Sequence, residues 1–396
     1  MHIKPFAALR PNREDAALVA SVPYDVVDTA EAKALAAGND KSFLHVSRPE
    51  IDLAPGVAFS SEEAYVQAKK ALDSLVARKV LVRDPQPKYY AYRQTMFSHS
   101  QIGIVAVFDT QEYLSGVLKQ HEKTRKDKED DRTRHIEILK AHTGPAFLTY
   151  RDDPAIDALV REACRAEPLY DFTAPDGIGH TVWEIGGACM VDELGELFER
   201  IRVAYIADGH HRSAAASRYA REHNFEGESR WYLAVAFPAS QLKILPYNRL
   251  VADLNGLTDE EFLSRLSSKF AVGVRGERNA RMYFRGKWTD ISWSLPADAD
   301  VVARLDVSYL QDNLLARVLG IGDPRTDKRI SFMGGIRGDA ALAEKVDSGE
   351  AAVAFAMESV TVDEMMAIAD SGAIMPPKST WFEPKLRSGL FIHEVE

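Results

Sequence analysis

Apolar and polar positions along this chain follow two periods in turn. Between Ser61 and Arg78 the side chains of Tyr65, Ala68, Leu72, Leu75 and Val76 fall on one helical stripe, and Ser60 with Glu63 three residues on predicts a capping box ahead of it. Further helices are predicted at Glu31–Ala37, Ala155–Ala166, Asp192–Ile201, Thr258–Phe270 (with Glu261 at the box position), Val307–Leu319, Ala340–Val346 and Val362–Ala369. Strand-length apolar runs stand between them: Tyr89–Thr95, Ile102–Phe108, Phe147–Tyr150, Thr181–Ile185, Val203–Ala207, Trp231–Phe237, Ile330–Met333 and Ala352–Met357. Ile102–Phe108 is apolar without interruption, as a strand buried on both faces should be. A hairpin is predicted over Met282–Ser294, turning at Arg285-Gly286.

Strands and helices interleaved in this way imply an α/β (mixed α+β) fold. At 396 residues the chain is long for one core, and it divides on this reading into three parts: residues 1–100, 101–237 and 238–396. Hydrophobic residues make up 46% and charged residues 27%, enough apolar material to hold a core without covalent staples. Cys164 and Cys189 form no C-x-x-C pair and are expected to be buried thiols in a reducing, cytoplasmic setting. The first residues carry no apolar leader, and no run of about 18 apolar residues occurs, so neither a signal peptide nor a spanning helix is expected. A net charge of −10 argues against nucleic acid as a partner. It leaves room for small anions, which need only a few placed donors. The sequence is compatible with an oligomer.

The strongest chemical signal is Ala207-Asp208-Gly209-His210-His211-Arg212, where an apolar strand runs through a glycine into the Ala-rich helix that begins near Ser213. The first N–H groups of a helix have no intrahelical partners, and the helix dipole adds positive charge there. Together they form an anion site. Gly209 lets the backbone approach, Arg212 offers a planar fork, and His210, His211 and Ser213 offer hydrogen bonds, so Gly209 to Ser213 are assigned to phosphate binding. The plainer alternative is a helix cap with two structural histidines. No dedicated metal site is expected, because adjacent histidines diverge. There is no G-x-x-x-x-G-K-[ST], no G-x-G-x-x-G opening a helix and no G-x-S-x-G.

A second cluster is His121-Glu122-Lys123-Thr124-Arg125, followed by Arg132. Seven Lys and Arg lie between 119 and 134 against five acids, a balance that a solvated helix face would also show. Glu122 could take a proton from a hydroxyl, His121 could contact the substrate, and Arg125 and Arg132 could clamp phosphate oxygens. The tail from Pro376 to Arg387 packs Lys378, Thr380, Trp381, Glu383 and Lys385 between prolines. It is either a substrate-binding loop or a strap that fills a groove with Trp381 and Phe382. Asp323–Arg329, Gly334-Gly335 with Arg337, Tyr24-Asp25 and Asn248-Arg249 are further polar segments for which structural roles compete with binding.

Ile3-Lys4-Pro5-Phe6, Pro23-Tyr24-Asp25-Val26-Val27, Ser42-Phe43-Leu44-His45-Val46, His121–Arg125, Ala207–Arg212, Asp323-Pro324-Arg325 and the Pro376–Leu390 tail, in this order, resemble the family called domain of unknown function 1015 over essentially the whole chain. The middle part also resembles proteins of the ParB/sulfiredoxin fold. Free-serine kinases of that fold carry a very similar Asp-Gly-His-His-Arg and an acidic residue near a His-Glu-like element. That resemblance implies a ParB/sulfiredoxin-like phosphate-binding domain over residues 101–237. It also implies ATP or ADP with Mg²⁺ as the phosphoryl donor, free L-serine as the favoured acceptor, and Glu122, Asp208 and His210 as catalytic residues. The alternative it leaves is a non-catalytic nucleotide-binding regulator or partner-binding protein. A phosphate-ester hydrolase using the same anion site is a third reading.

Overall fold

The computed structural model describes all residues from Met1 to Glu396. They form two compact units: residues 1–242 with 384–396, and residues 243–383. No helix is long and apolar enough to cross a membrane.

The first unit is built on a nine-stranded mixed sheet. Its strands are β1 (Ile3–Lys4), β2 (Tyr89–Met96), β3 (His99–Asp109), β4 (Leu118–Lys119), β5 (Ala146–Tyr150), β6 (Tyr170–Thr173), β7 (Gly179–Ile185), β8 (Ala204–Asp208) and β9 (Trp231–Pro238). Their order is β4-β8-β5-β9-β3-β2-β7-β6, with β1 paired to β3 at Ile3↔Phe108. Pairing is parallel for β4–β8 and β5–β9 and antiparallel elsewhere. The uninterrupted apolar run lies in β3, in the middle of the sheet, where Val105, Ala106 and Val107 have no exposed surface.

The five longest helices of this unit pack around this sheet and its loops: α1 (Glu62–Ala77), α2 (Lys126–Leu139), α3 (Pro154–Ala163), α4 (Ala188–Glu199) and α5 (His210–Glu222). The apolar stripes of α3 and α4 close one core with Ile104, Phe108, Leu148 and Tyr232 of the sheet, through Ile156, Leu194 and Phe198. α1 covers a second core, in which Leu72 and Leu75 meet Leu9, Phe43 and Val46. Ile392 closes this core, because the chain returns at Pro384 and its main chain pairs Ile392 with Leu9 and Ser388 with Ser21. α2 lies against α5, where Ile136 packs on Ala215 and Tyr219. The cap of α1 is Ser61, whose hydroxyl accepts from Ala64 N–H; the box expected from Ser60 and Glu63 does not form, because the helix starts one residue later and puts Ala64 at the third position.

The second unit has a six-stranded sheet in the order Ala271–Val272, Lys287–Trp293, Arg278–Phe284, Val353–Met357, Tyr247–Val251, Ile330–Gly334. The predicted hairpin forms with Arg285 and Gly286 both at positive φ (48° and 76°), as a two-residue turn of the primed type requires. Thr258 and Glu261 form the expected reciprocal cap.

Two expectations need revising. The boundary placed at residue 100 falls inside the β2–β3 hairpin, where Met96 pairs with His99, so residues 1–100 and 101–237 share one sheet. The break near 238–242 is at a unit boundary, but residues 384–396 go back to the first unit. Neither cysteine is buried: both thiols are free, Cys164 partly covered and Cys189 exposed.

Candidate functional site

β8 delivers the Asp-Gly-His-His-Arg segment. Ile206 pairs with Leu148 and Asp208 with Phe147, so Ala207 is skipped as a β-bulge that re-aims the end of the strand. Gly209 then adopts φ 86°, ψ 32°, a left-handed turn that an L side chain resists. α5 begins at His210, and the first helical bond joins the N–H of Ser213 to the carbonyl of Gly209 at 3.0 Å. The N–H groups of His210, His211 and Arg212 therefore lie outside the intrahelical ladder.

Arg212 folds back over this turn. Its Nη2 donates to Asp208 Oδ2 at 3.1 Å and its Nη1 to the carbonyl of Pro145, while its Nε has no partner. A Cβ at Gly209 would come within 2.9 Å of that Nε and 3.0 Å of Cζ. Glycine is thus needed twice, for the backbone turn and for the space the guanidinium fills. Lys385, from the returning C-terminal segment, brings its Nζ to 3.6 Å from Asp208 Oδ1. Ser213 differs from its expected role. It is buried against the sheet, and its N–H is already taken by the helix.

The His121–Arg125 segment reaches the same place by way of β4. Parallel pairing of Leu118 with Ala204 and Lys119 with Tyr205 carries the following residues alongside the end of β8. The His121 ring meets the His210 ring edge to face, with centroids 4.5 Å apart, and the N–H of Arg125 donates to His211 Nε2 at 3.1 Å. Both His121 and His210 are buried. Burial holds the His121 imidazole down at about 3 and the His210 imidazole at about 4, so both rings are neutral near pH 7. Nε2 of His210 is buried without a protein partner. Glu122 is partly exposed beside them, and its charge acts on His121.

The other assigned residues lie apart from this cluster. The Arg125 guanidinium is exposed and paired with Asp127 at 2.8 Å. Arg132 is buried, paired with Asp131 at 2.8 Å, and stacked 4.0 Å above the Tyr24 ring, where it faces a small cavity instead of the helix start. Lys378, Thr380, Trp381 and Glu383 belong to the second unit. There, Trp381–Glu383 is a strand paired with Lys243–Leu245. Trp381 meets the Tyr247 ring edge-on at 5.0 Å and lies flush against Gly334, where a Cβ would be 2.6 Å from its ring. Its indole N–H donates to Glu383 at 2.7 Å, and Lys378 sits 5.5 Å over Tyr247. These contacts give Gly334 a packing role. Arg329 likewise ties down its own loop, through Asp327 and the carbonyls of Leu319 and Gly320.

Sequence reasoning missed the Pro145 carbonyl under Arg212. A main-chain acceptor leaves no trace in residue identity.

The sequence profile of a protein of unknown function (DUF1015) matches residues 3–308. The chain belongs to the DUF1015 family. Among curated proteins no sequence match was found. Solved structures similar to this DUF1015 protein include free serine kinase in complex with AMP, at 14% identity and TM-score 0.39, covering 74% of this chain and 91% of that one. A mutant of free serine kinase in complex with ADP gives 13% identity, TM-score 0.39, and 74% and 92% coverage. C-terminally truncated SbnI from Staphylococcus aureus gives 11% identity, TM-score 0.42, and 73% and 87% coverage.

Proposed function

We propose that the first unit binds the phosphates of a nucleotide at the start of α5 and transfers one phosphoryl group to the hydroxyl of a small metabolite. The observation that carries this reading is the meeting of His121–Arg125 with Asp208–Arg212, the first of which contains the carboxylate Glu122. Phosphoryl transfer depends on positioning and charge neutralisation more than on covalent chemistry. The N–H groups in the first turn of the helix would hold phosphate oxygens, with the Arg212 guanidinium closing over them. The two neutral imidazoles would add hydrogen bonds without adding charge. Glu122 would take the proton of the acceptor hydroxyl as its oxygen bonds to the terminal phosphorus and the bond from that phosphorus to the bridging oxygen breaks, releasing ADP from ATP or AMP from ADP. Lys385 and Arg212 hold Asp208 in place at the edge of the site.

Mg²⁺ would arrive with the nucleotide, since this ion is commonly held by phosphates, waters and one or two carboxylates. Asp208 and Glu122 are the carboxylates at hand. The ion would neutralise charge on the transferring group.

The donor would be ATP or ADP. Free L-serine is the favoured acceptor, on the resemblance of the two motifs to those of free-serine kinases. Incubating the protein with ATP or ADP, Mg²⁺ and L-serine should give O-phosphoserine, read by phosphorus NMR. Absence of product with every donor would overturn the kinase reading, and nucleotide bound without turnover would favour a sensor.

A further inference from the structure

Behind the Arg212 side chain lies a cavity of about 40 Å³, lined among others by Tyr24, Ser47, Arg132, His142, Arg212 and Ser388, all of the first unit. By this measure of volume a single water needs about 10–15 Å³, so the space admits roughly three water-sized groups. Three of its lining side chains present a buried polar atom with no protein partner: Ser47 Oγ, His142 Nε2 and Arg212 Nε. Ser47 and His142 are 5% and 6% exposed. A buried donor or acceptor left unsatisfied loses its bonds to water without replacement, which is unfavourable. Three of them around one cavity indicate a polar occupant.

The chemistry of that occupant follows from the lining. Two guanidiniums face the cavity and no carboxylate does. Arg132 uses Nε and Nη2 on Asp131, and Arg212 has Nε without a protein partner. Each guanidinium is already paired with one aspartate, so the cavity offers spare donors without a full surplus charge. That balance suits a monoanion better than a doubly charged phosphate. His142 adds a distinct requirement. Its ring is neutral, and its buried Nε2 has no protein partner, so it calls for a hydrogen-bonding group on the occupant.

We infer that this cavity is a subsite for a small acid that carries a hydrogen-bond donor on the carbon next to its carboxylate, an α-amino or α-hydroxy acid. The carboxylate meets the Arg132 guanidinium, Arg212 Nε and the Ser47 hydroxyl, and the neighbouring ammonium or hydroxyl meets His142 Nε2. Arg212 also bonds Asp208, so one side chain joins this subsite to the phosphate loop. That the acid is the phosphoryl acceptor rests on the proposed function; that the cavity binds it does not.

The test is titration of the full-length protein with glycine, glycolate, acetate and methylammonium, followed by calorimetry and by ligand NMR in the absence of nucleotide. Glycine or glycolate should bind at least tenfold more tightly than acetate, and methylammonium not measurably; the tighter of the first two tells an amino acid site from a hydroxy acid site. Ser47→Ala removes only an unpartnered hydroxyl and should weaken binding about tenfold with the melting temperature kept. Arg132→Lys should abolish binding, and its folding is checked separately because it also pairs with Asp131. Failure of wild type to bind either α-substituted acid at millimolar concentration, or unchanged affinity in Ser47→Ala, overturns the inference. ADP binding is measured in parallel: ADP bound without the acids sinks this subsite alone, and acids bound without ADP sink the phosphate site alone.

Discussion

Replacing Gly209 with alanine tests the two demands placed on that residue. Its φ of 86° is in the left-handed region, and a Cβ there would lie 2.9 to 3.1 Å from Nε, Cζ and Nη2 of Arg212. Gly177 supplies the control: its φ is 80°, yet nothing lies within 4 Å of a Cβ built on it. Backbone strain alone costs about 1–2 kcal/mol for an L residue, offset in part by about 0.4–1 kcal/mol from a less flexible unfolded chain. Gly177→Ala should therefore destabilise by about 1 kcal/mol. Gly209→Ala must also push the guanidinium away from Asp208 and the Pro145 carbonyl, two hydrogen bonds of about 1 kcal/mol each, for a total near 3 kcal/mol. Urea unfolding of both variants gives the difference. Calorimetry with ADP gives the functional half: loss of one charge-assisted hydrogen bond, about 1.5–3 kcal/mol, corresponds to roughly a 10- to 150-fold weaker nucleotide in Gly209→Ala and no change in Gly177→Ala. Equal stability loss at the two sites, with equal ADP affinity, would refute the role given to Arg212.

Glu122→Gln keeps the shape of the side chain but not its basicity, so phosphoryl transfer should fall by about 10²–10⁴-fold while ADP affinity stays within a few-fold; a fully active variant would remove Glu122 as the base. Burial depresses His121, His135, His142 and His180 to about 3 and His210 to about 4. Since these folded-state values lie below the unfolded value near 6.5, the unfolded chain takes up protons first as pH falls. Stability should be nearly flat above about pH 7.5 and drop by about 1 kcal/mol per histidine between pH 6.5 and 5.5. Equal urea midpoints at those two pH values would contradict this. In the second unit, Arg249 is buried with only the Tyr247 carbonyl and the Phe332 ring as partners, and burial lowers it to about 10. Arg249→Met should leave stability unchanged or raise it by about 1–4 kcal/mol, by the logic that governs buried charge, and a large loss in chemical denaturation would show the guanidinium to be structural.

What the sequence determined by itself was local. The turn at Arg285-Gly286, the reciprocal cap of Thr258 and Glu261, the buried run in β3 and the strand–glycine–helix passage through Asp208 all depend on residues within a few positions of one another. Backbone sterics, capping and apolar periodicity act at that range. The same holds for the helix start at His210 directly after the left-handed turn of Gly209. Tertiary structure decided what stands opposite that start. Glu122 and His121 arrive through parallel pairing of Leu118 with Ala204, a main-chain contact across a long chain separation that no side-chain pattern announces. Lys385 arrives because the last residues return to the first core, whereas Trp381, a few positions earlier, stays with the second unit. Arg132 turns into the cavity because Asp131 and Tyr24 hold it there. Charge and spacing are the same for a solvated helix face and for a ligand clamp, and only the packing of distant segments, set by burial and by hydrogen bonds between strands, separates the two.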